Sequence, residues 1–249
     1  MYSRTAEVLA ENGIASLRID FRGSGESIDE IGFEETTFSG QVSDALAAVE
    51  WLDGHEGIGD IGVRGLSQGG LVGSITAAVD ARVSSLVLWS PVANPVDTYK
   101  TVLGADAVLQ GLTQPATEAT LPWGAVVTLN QPFYQELYAI DPVAAISHYE
   151  GPLQVVVGER DDVVTPQPYY GETYLNRTGS RGDSDDRFQA ASVASCWSAQ
   201  YAASYSAGGM SPQAPWSRWA FHQWTQAAVS NSTCSTLRQG PRRLISSAL

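Results

Sequence analysis

The sequence predicts an α/β fold: a mostly parallel sheet with helices on both faces. Three observations carry that prediction. Short apolar segments of strand length alternate with longer segments whose apolar residues recur at three and four positions. The strand-length segments are near-continuously apolar, as strands buried on both faces read. Between one of them and the next helical segment lies Gly65-Leu66-Ser67-Gln68-Gly69, a glycine-flanked serine at a strand-to-helix turn.

Residues 3–11 read as a helix with Ala6, Val8, Leu9 and Ala10 on its apolar side. Asn12-Gly13 ends it, because these residue types accept the left-handed C′ position. Residues 14–20 form a strand and residues 21–27 a Gly/Ser turn. Across residues 38–52, Val42, Ala45, Leu46, Val49 and Leu52 recur at helical spacing. A loop over residues 54–59 leads to a strand at 61–65, the serine turn, and a helix of small and apolar residues to position 79. Residues 83–90 make an apolar strand bounded by Pro91. Residues 94–140 hold Pro95, Pro115, Pro122 and Pro132 with several aromatics. That segment is too long for an ordinary connection. It is expected to carry short helices of its own and to lie over the carboxyl edge of the sheet. Residues 153–158 are a further strand, and there are no internal repeats.

At 249 residues the chain can bury the core of one α/β domain. Its net charge of −13 argues against a nucleic-acid surface. No apolar run reaches bilayer length, and the first residues lack a basic segment followed by an apolar one. No membrane partner is therefore expected, and the expected location is cytoplasmic. Cys196 and Cys234 form neither a disulfide framework nor a CxxC pair, so no metal is expected. The oligomeric state is left open. Composition breaks near position 177: residues 177–249 hold seven arginines against three acids, both cysteines, no lysine and four of the seven tryptophans. Without a strand of convincing length, this tail reads as a disordered or frame-shifted extension, and residues 1–176 as an incomplete α/β domain.

The serine turn carries a chemical expectation. A serine held at such a turn sits in strained backbone, and neighbouring glycines relieve crowding against the facing strand and helix. Its hydroxyl is then held out at the carboxyl end of the sheet, where the free N–H groups of the next helix point. The Gln68 amide is the expected oxyanion donor. A serine hydroxyl needs a histidine to take its proton, and that histidine needs a carboxylate to hold it. Asp161 and Asp162 follow the strand at 153–158, in the order serine, then acid, then histidine. A solvated acidic turn or a helix cap is the alternative reading of this pair. Trp123, Phe133, Tyr134 and Tyr138 are candidates to line an acyl or aryl pocket. Packing of the insertion onto the body would use the same side chains, so both readings stay open. Asp20 and Glu26 read as turn residues, with Arg22 able to pair with either.

Residues 1–176 resemble an α/β-hydrolase, and more narrowly the cinnamoyl/feruloyl-esterase-like serine hydrolases related to the serine aminopeptidase and monoacylglycerol-lipase group. Residues 13–27, ending Asp20-Phe21-Arg22-Gly23-Ser24-Gly25-Glu26-Ser27, are similar to that family's D-x-x-G-x-G-x-S strand and turn. The turn at Ser67 is a second match. Gly158-Glu159-Arg160-Asp161-Asp162-Val163-Val164-Thr165-Pro166 resembles the segment bearing the triad acid, which selects Asp161 over Asp162. The resemblance implies Ser67 as nucleophile, Asp161 as triad acid, a lid over about residues 94–140, a small-molecule ester as substrate and no cofactor. Amide, peptide or thioester cleavage and acyl transfer use the same triad.

Two departures from that family stand out. The family places a His-Gly segment with the second oxyanion donor before the helix in which this chain begins. Met1 is therefore expected to be an internal start or the edge of a fragment, and a non-catalytic fragment is the rival reading. The second departure is the base, since residues 162–221 contain no histidine. His55 and His148 precede strands and are expected at the opposite edge of the sheet, while His222 follows Asp161 in chain order.

Overall fold

Every strand expected between residues 14 and 158 is present in the computed structural model, which describes residues 2–28, 31–158 and 160–178 and the backbone of 192–193 and 242–247. Helix α1 (Tyr2–Glu11) ends where Gly13 takes φ 74° and the Ile14 N–H returns to the Leu9 carbonyl at 2.9 Å. Strand β1 (Ser16–Ile19) follows. Helix α2 (Phe38–Asp53) starts at Thr37, whose hydroxyl accepts the Gly40 N–H at 3.1 Å. It buries Phe38, Gln41, Ala45, Ala48, Val49 and Leu52 along one face. Strand β2 (Asp60–Leu66), helix α3 (Gln68–Val79) and strand β3 (Val83–Trp89) complete the next strand–helix–strand unit.

The insertion then departs from the carboxyl end of β3. It contains α4 (Pro95–Leu103), α5 (Ala105–Gly111), the antiparallel strands β4 (Ala116–Thr120) and β5 (Val126–Asn130), and α6 (Gln131–Ala139). Asn94 caps α4 by accepting the Asp97 N–H at 3.1 Å, with Pro95 at the position where a missing N–H costs nothing. Short helices were expected here; the hairpin was not. Helix α7 (Pro142–Ile146), β6 (Leu153–Val157), α8 (Tyr169–Arg177), β7 (Ser192–Val193) and β8 (Arg242–Ser247) follow.

The main sheet has the order β1-β8-β2-β3-β6-β7, and every pairing in it is parallel. Residues 242–247 thus lie between β1 and β2, pairing Ser16 with Leu244 on one side and Gly62 with Leu244 on the other. This corrects the expectation that no strand of convincing length follows position 177. The lone pattern Arg-Arg-Leu-Ile-Ser-Ser carries little strand signal, and pairing on both sides is a tertiary effect that sequence periodicity does not register.

Helices cover both faces of the sheet. Ile61, Val63, Leu86, Leu88, Val155 and Val157 form one core with Ala77 of α3, Ile146 of α7 and Tyr174 of α8. Side chains alternate along a strand, so Arg64 faces the other way. There it is 2% exposed, with its guanidinium 3.7 Å from the Trp89 ring centroid and 4.9 Å from that of Tyr2 in α1. Burial pulls the Arg64 pKa down to about 10 and pushes that of Tyr2 up to about 12. A second core joins Phe21, Phe38, Leu71 and Val72 of the body to Tyr99, Val108, Leu129, Phe133, Tyr134 and Leu137 of the insertion. Arg22 pairs with neither Asp20 nor Glu26. It binds Asp44 of α2, through Nε at 2.8 Å and its own N–H at 2.9 Å, while Asp20 accepts the Glu26 N–H at 3.0 Å across the turn.

Candidate active site

Crowding builds the turn between β2 and α3. A Cβ on Gly65 would lie 2.0 Å from the Gly69 carbonyl oxygen, and one on Gly70 would lie 2.8 Å from Pro91 Cβ. Only glycine lets the chain reverse this tightly. The turn leaves Ser67 at φ 54°, ψ −117°, a strained conformation for a residue with a side chain. Neighbouring backbone over-determines it. The Ser67 N–H donates to the Trp89 carbonyl at 2.8 Å, and the Ser67 carbonyl accepts from Gly70 at 3.0 Å and Val92 at 3.2 Å. Ser67 is partly exposed at the carboxyl end of β2.

Gln68 opens α3, so its N–H has no intrahelical acceptor. Its side chain is held on two sides. Gln68 Nε2 donates to Gln41 Oε1 of α2 at 2.7 Å, and the Tyr99 hydroxyl of α4 donates to Gln68 Oε1. Gln41 is 1% and Tyr99 8% exposed. Burial pushes the Tyr99 hydroxyl well above the ordinary tyrosine range, so it stays a donor at neutral pH. No periodicity marks these partners; a polar residue on the apolar stripe of α2 was the one available signal.

Asp161 lies in the loop after β6. Its N–H donates to the Gly158 carbonyl at 3.2 Å, and its Oδ1 accepts from Val163 at 3.0 Å and Val164 at 2.9 Å. Val164 is buried in the core shared by body and insertion, which anchors the loop, whereas Asp162 is exposed. Ser90, at φ 39°, stands between the two loops: its N–H donates to Val156, and its hydroxyl accepts the Gly158 N–H at 3.5 Å. Since β2, β3 and β6 are adjacent and parallel, Ser67 and Asp161 emerge at the same edge of the sheet.

The four aromatic candidates divide between the core and more exposed positions. Phe133 is 2% and Tyr134 0% exposed. Phe133 stacks on Phe38 at 5.0 Å and meets Tyr99 edge-on at 5.1 Å, while the Tyr134 hydroxyl donates to the Thr117 carbonyl at 3.3 Å. These two fill the packing between insertion and body. Tyr138 is 51% exposed, and Trp123 sits partly exposed at the tip of the β4–β5 hairpin. A cleft of about 510 Å³ runs between Thr36, Thr37, Pro115, Ala116, Asn130 and Gln131, and none of the four lines it.

His55 and His148 are exposed and stand just before β2 and β6, at the amino edge. His55 Nδ1 is 2.7 Å from the Trp51 carbonyl, and its ring lies on Trp51. His222 lies outside the described residues. Among the described residues no cluster of His, Cys, Asp and Glu could hold a metal ion, and no helix is long and apolar enough to cross a membrane.

A model of the family Hydrolase_4, serine aminopeptidase S33, matches residues 1–147. Among solved structures, the chain is similar to Est1E from Butyrivibrio proteoclasticus with ferulic acid bound, at 25% identity over 69% of this chain and 68% of that one, with a TM-score of 0.57. It is similar to the esterase domain of a Rhodothermus marinus protein at 17% identity over 71% of this chain and 65% of that one, with a TM-score of 0.50. It is also similar to a structure of the metagenome-derived lipolytic enzymes LipS and LipT, at 19% identity over 72% and 73%, with a TM-score of 0.52. The chain thus spans about two thirds to three quarters of these relatives. No curated protein matches it.

Proposed function

The chain belongs to the serine aminopeptidase S33 family, hydrolases of the α/β-hydrolase fold and esterase type, and from that premise we propose that it cleaves carboxylic esters with Ser67 as nucleophile. The observation that carries the reading is the Ser67 turn itself: a serine at φ 54° on a glycine-built turn, with the Gln68 N–H at the start of α3 beside it. Backbone strain of this kind, about 1–3 kcal/mol, persists only where surrounding structure maintains it.

In this reading Ser67 Oγ attacks the ester carbonyl carbon as its proton passes to a histidine. The carbonyl oxygen becomes an oxyanion that accepts from the Gln68 N–H. The proton then goes to the departing alkoxide, leaving an acyl-serine that water hydrolyses by the same steps. Asp161 orients the histidine: its Oδ1 accepts the Val163 and Val164 N–H groups, which hold the carboxylate, and among the described residues Oδ2 has no hydrogen-bond partner and is offered to the imidazole. The one histidine after Asp161 is His222, so a triad completed within this chain is completed by it. The insertion acts as the lid, and a small-molecule ester binds beneath it. Ferulic acid bound to Est1E supports an aromatic acyl group as the first to be tried.

The test is turnover of p-nitrophenyl butyrate and methyl ferulate by the wild-type chain and by Ser67→Ala. Turnover that Ser67→Ala lowers at least about a thousandfold is the expected outcome. Equal turnover by both proteins, or none by either, overturns the reading.

A further inference from the structure

The oxyanion donor beside the strained turn is held from two sides, by backbone and by the Gln68 side chain. The peptide between residues 67 and 68 carries the Gln68 N–H, and its direction depends on ψ of Ser67 and φ of Gln68. Relaxation of Ser67 from φ 54°, ψ −117° would turn that N–H away. The Ser67 carbonyl shares that planar peptide and accepts from Gly70 at 3.0 Å, Leu71 at 3.3 Å and Val92 at 3.2 Å, so backbone holds one side of the plane. The Gln68 side chain, anchored at both ends of its amide, adds a hold on the residue at the other side.

We propose that Gln41 and Tyr99 are positioning residues that fix the oxyanion donor by gripping the Gln68 side chain between α2 and α4; this rests on the Ser67 reading above. Tyr99 O–H donates to Gln68 Oε1, and Gln68 Nε2 donates to Gln41 Oε1 at 2.7 Å. Reversing both amides preserves both hydrogen bonds, so the grip does not depend on which end is which. Its holders are themselves buried. Gln41 lies on the apolar stripe of α2, and the Tyr99 ring is wedged edge-on against Phe38 at 5.7 Å and Phe133 at 5.1 Å. Released polar groups would have no water to turn to, which makes the chain Gln41–Gln68–Tyr99 stiff.

The grip also spans two parts of the molecule. Gln41 belongs to the body, whereas Tyr99 belongs to the first helix of the insertion. Seating of the insertion is therefore felt at the Gln68 N–H without either positioning residue touching substrate.

Tyr99→Phe removes one oxygen and keeps the ring, and Gln41→Met keeps the volume and removes both polar ends. Each is expected to lower kcat about tenfold with KM within about twofold, since a displaced donor acts on the transition state. Gln68→Ala keeps the N–H and removes the gripped side chain. In that background Tyr99→Phe is expected to change kcat no further, a non-additivity that a merely structural role does not produce. Labelling of Ser67 by a fluorophosphonate probe is measured alongside. Labelled wild type with Tyr99→Phe at wild-type kcat overturns the inference alone, as does Tyr99→Phe slowing Gln68→Ala as much as it slows wild type. Wild type that is neither labelled at Ser67 nor active overturns the Ser67 reading and the inference together. Should Gln41→Met fail to fold, the Tyr99→Phe and Gln68→Ala cycle decides by itself.

Discussion

Gly65 shows how little room the Ser67 turn has. A methyl group there would meet the Gly69 carbonyl carbon at 2.3 Å and the Gly70 nitrogen at 2.6 Å, both backbone atoms at the start of α3. No side-chain rotation relieves such a contact, so α3 must move off β2. Gly65→Ala is expected to cost at least about 1–3 kcal/mol of stability, read as a lower urea midpoint, and to abolish Ser67-dependent turnover. This much was legible in advance, because a G-x-S-x-G turn flanked by strand and helix admits few other structures. Arg64 and Gln41 were not. Each is a polar residue in an apolar stretch, and nothing in a linear pattern says that a guanidinium will stack on Trp89 or that an amide will meet Gln68. Such partners come from elements distant in sequence.

A carboxylate joins insertion and body in addition to the aromatic core and the Tyr99–Gln68 hydrogen bond. Glu136 of α6 accepts the Ser39 N–H at 3.0 Å and also the Ser39 hydroxyl, both in the first turn of α2. An anion at a helix N-terminus completes unpaired N–H groups and meets the positive end of the helix dipole. Glu136→Ala should lower stability by about 1–3 kcal/mol. Glu136→Gln, which keeps one acceptor, should recover part of that in the same denaturation series. The insertion was legible as a long Pro- and aromatic-rich segment with helices. Its hairpin was not: Ala116–Thr120 buries alternate residues once folded, but Ala-Thr-Glu-Ala-Thr shows no apolar alternation as a sequence. Roles for Phe133 and Tyr134 were not legible, since pocket lining and core packing both call for apolar side chains facing inward. The structure puts both in the core.

Ionisation couples the whole molecule to alkaline pH through its buried phenols. Tyr2 is pushed up to about 12, and Tyr99, Tyr149 and Tyr174 are pushed above the ordinary value of 10.0 by burial. An unfolded chain releases these protons near the ordinary value while the folded chain keeps them. Their contribution is therefore complete below pH 10 and is lost as pH rises from there. Arg64 works the other way. Its folded value is about 10 against 12.5 unfolded, so the unfolded chain binds more protons between those values and stability gains with pH. The raised phenols, Tyr134 and Tyr170 among them, outweigh one guanidinium. Stability is expected to fall from about pH 9 to about pH 11 by more than about 1 kcal/mol. Tyrosinate absorbance from the buried phenols should appear only together with unfolding.

The place of β8 sets a timetable for synthesis. A ribosome delivers β1 and β2 early, yet the strand that lies between them is residues 242–247. Until it arrives, each of the two strands has a bare row of N–H and C=O groups, a template for any other extended chain nearby. Pairing of β1 with β8 joins residues far apart in sequence, Ser16 with Leu244, and such non-local closure is slow and exposes the nascent sheet to aggregation. The gap between β1 and β2 therefore stays open until residues 242–247 have been made and have reached it.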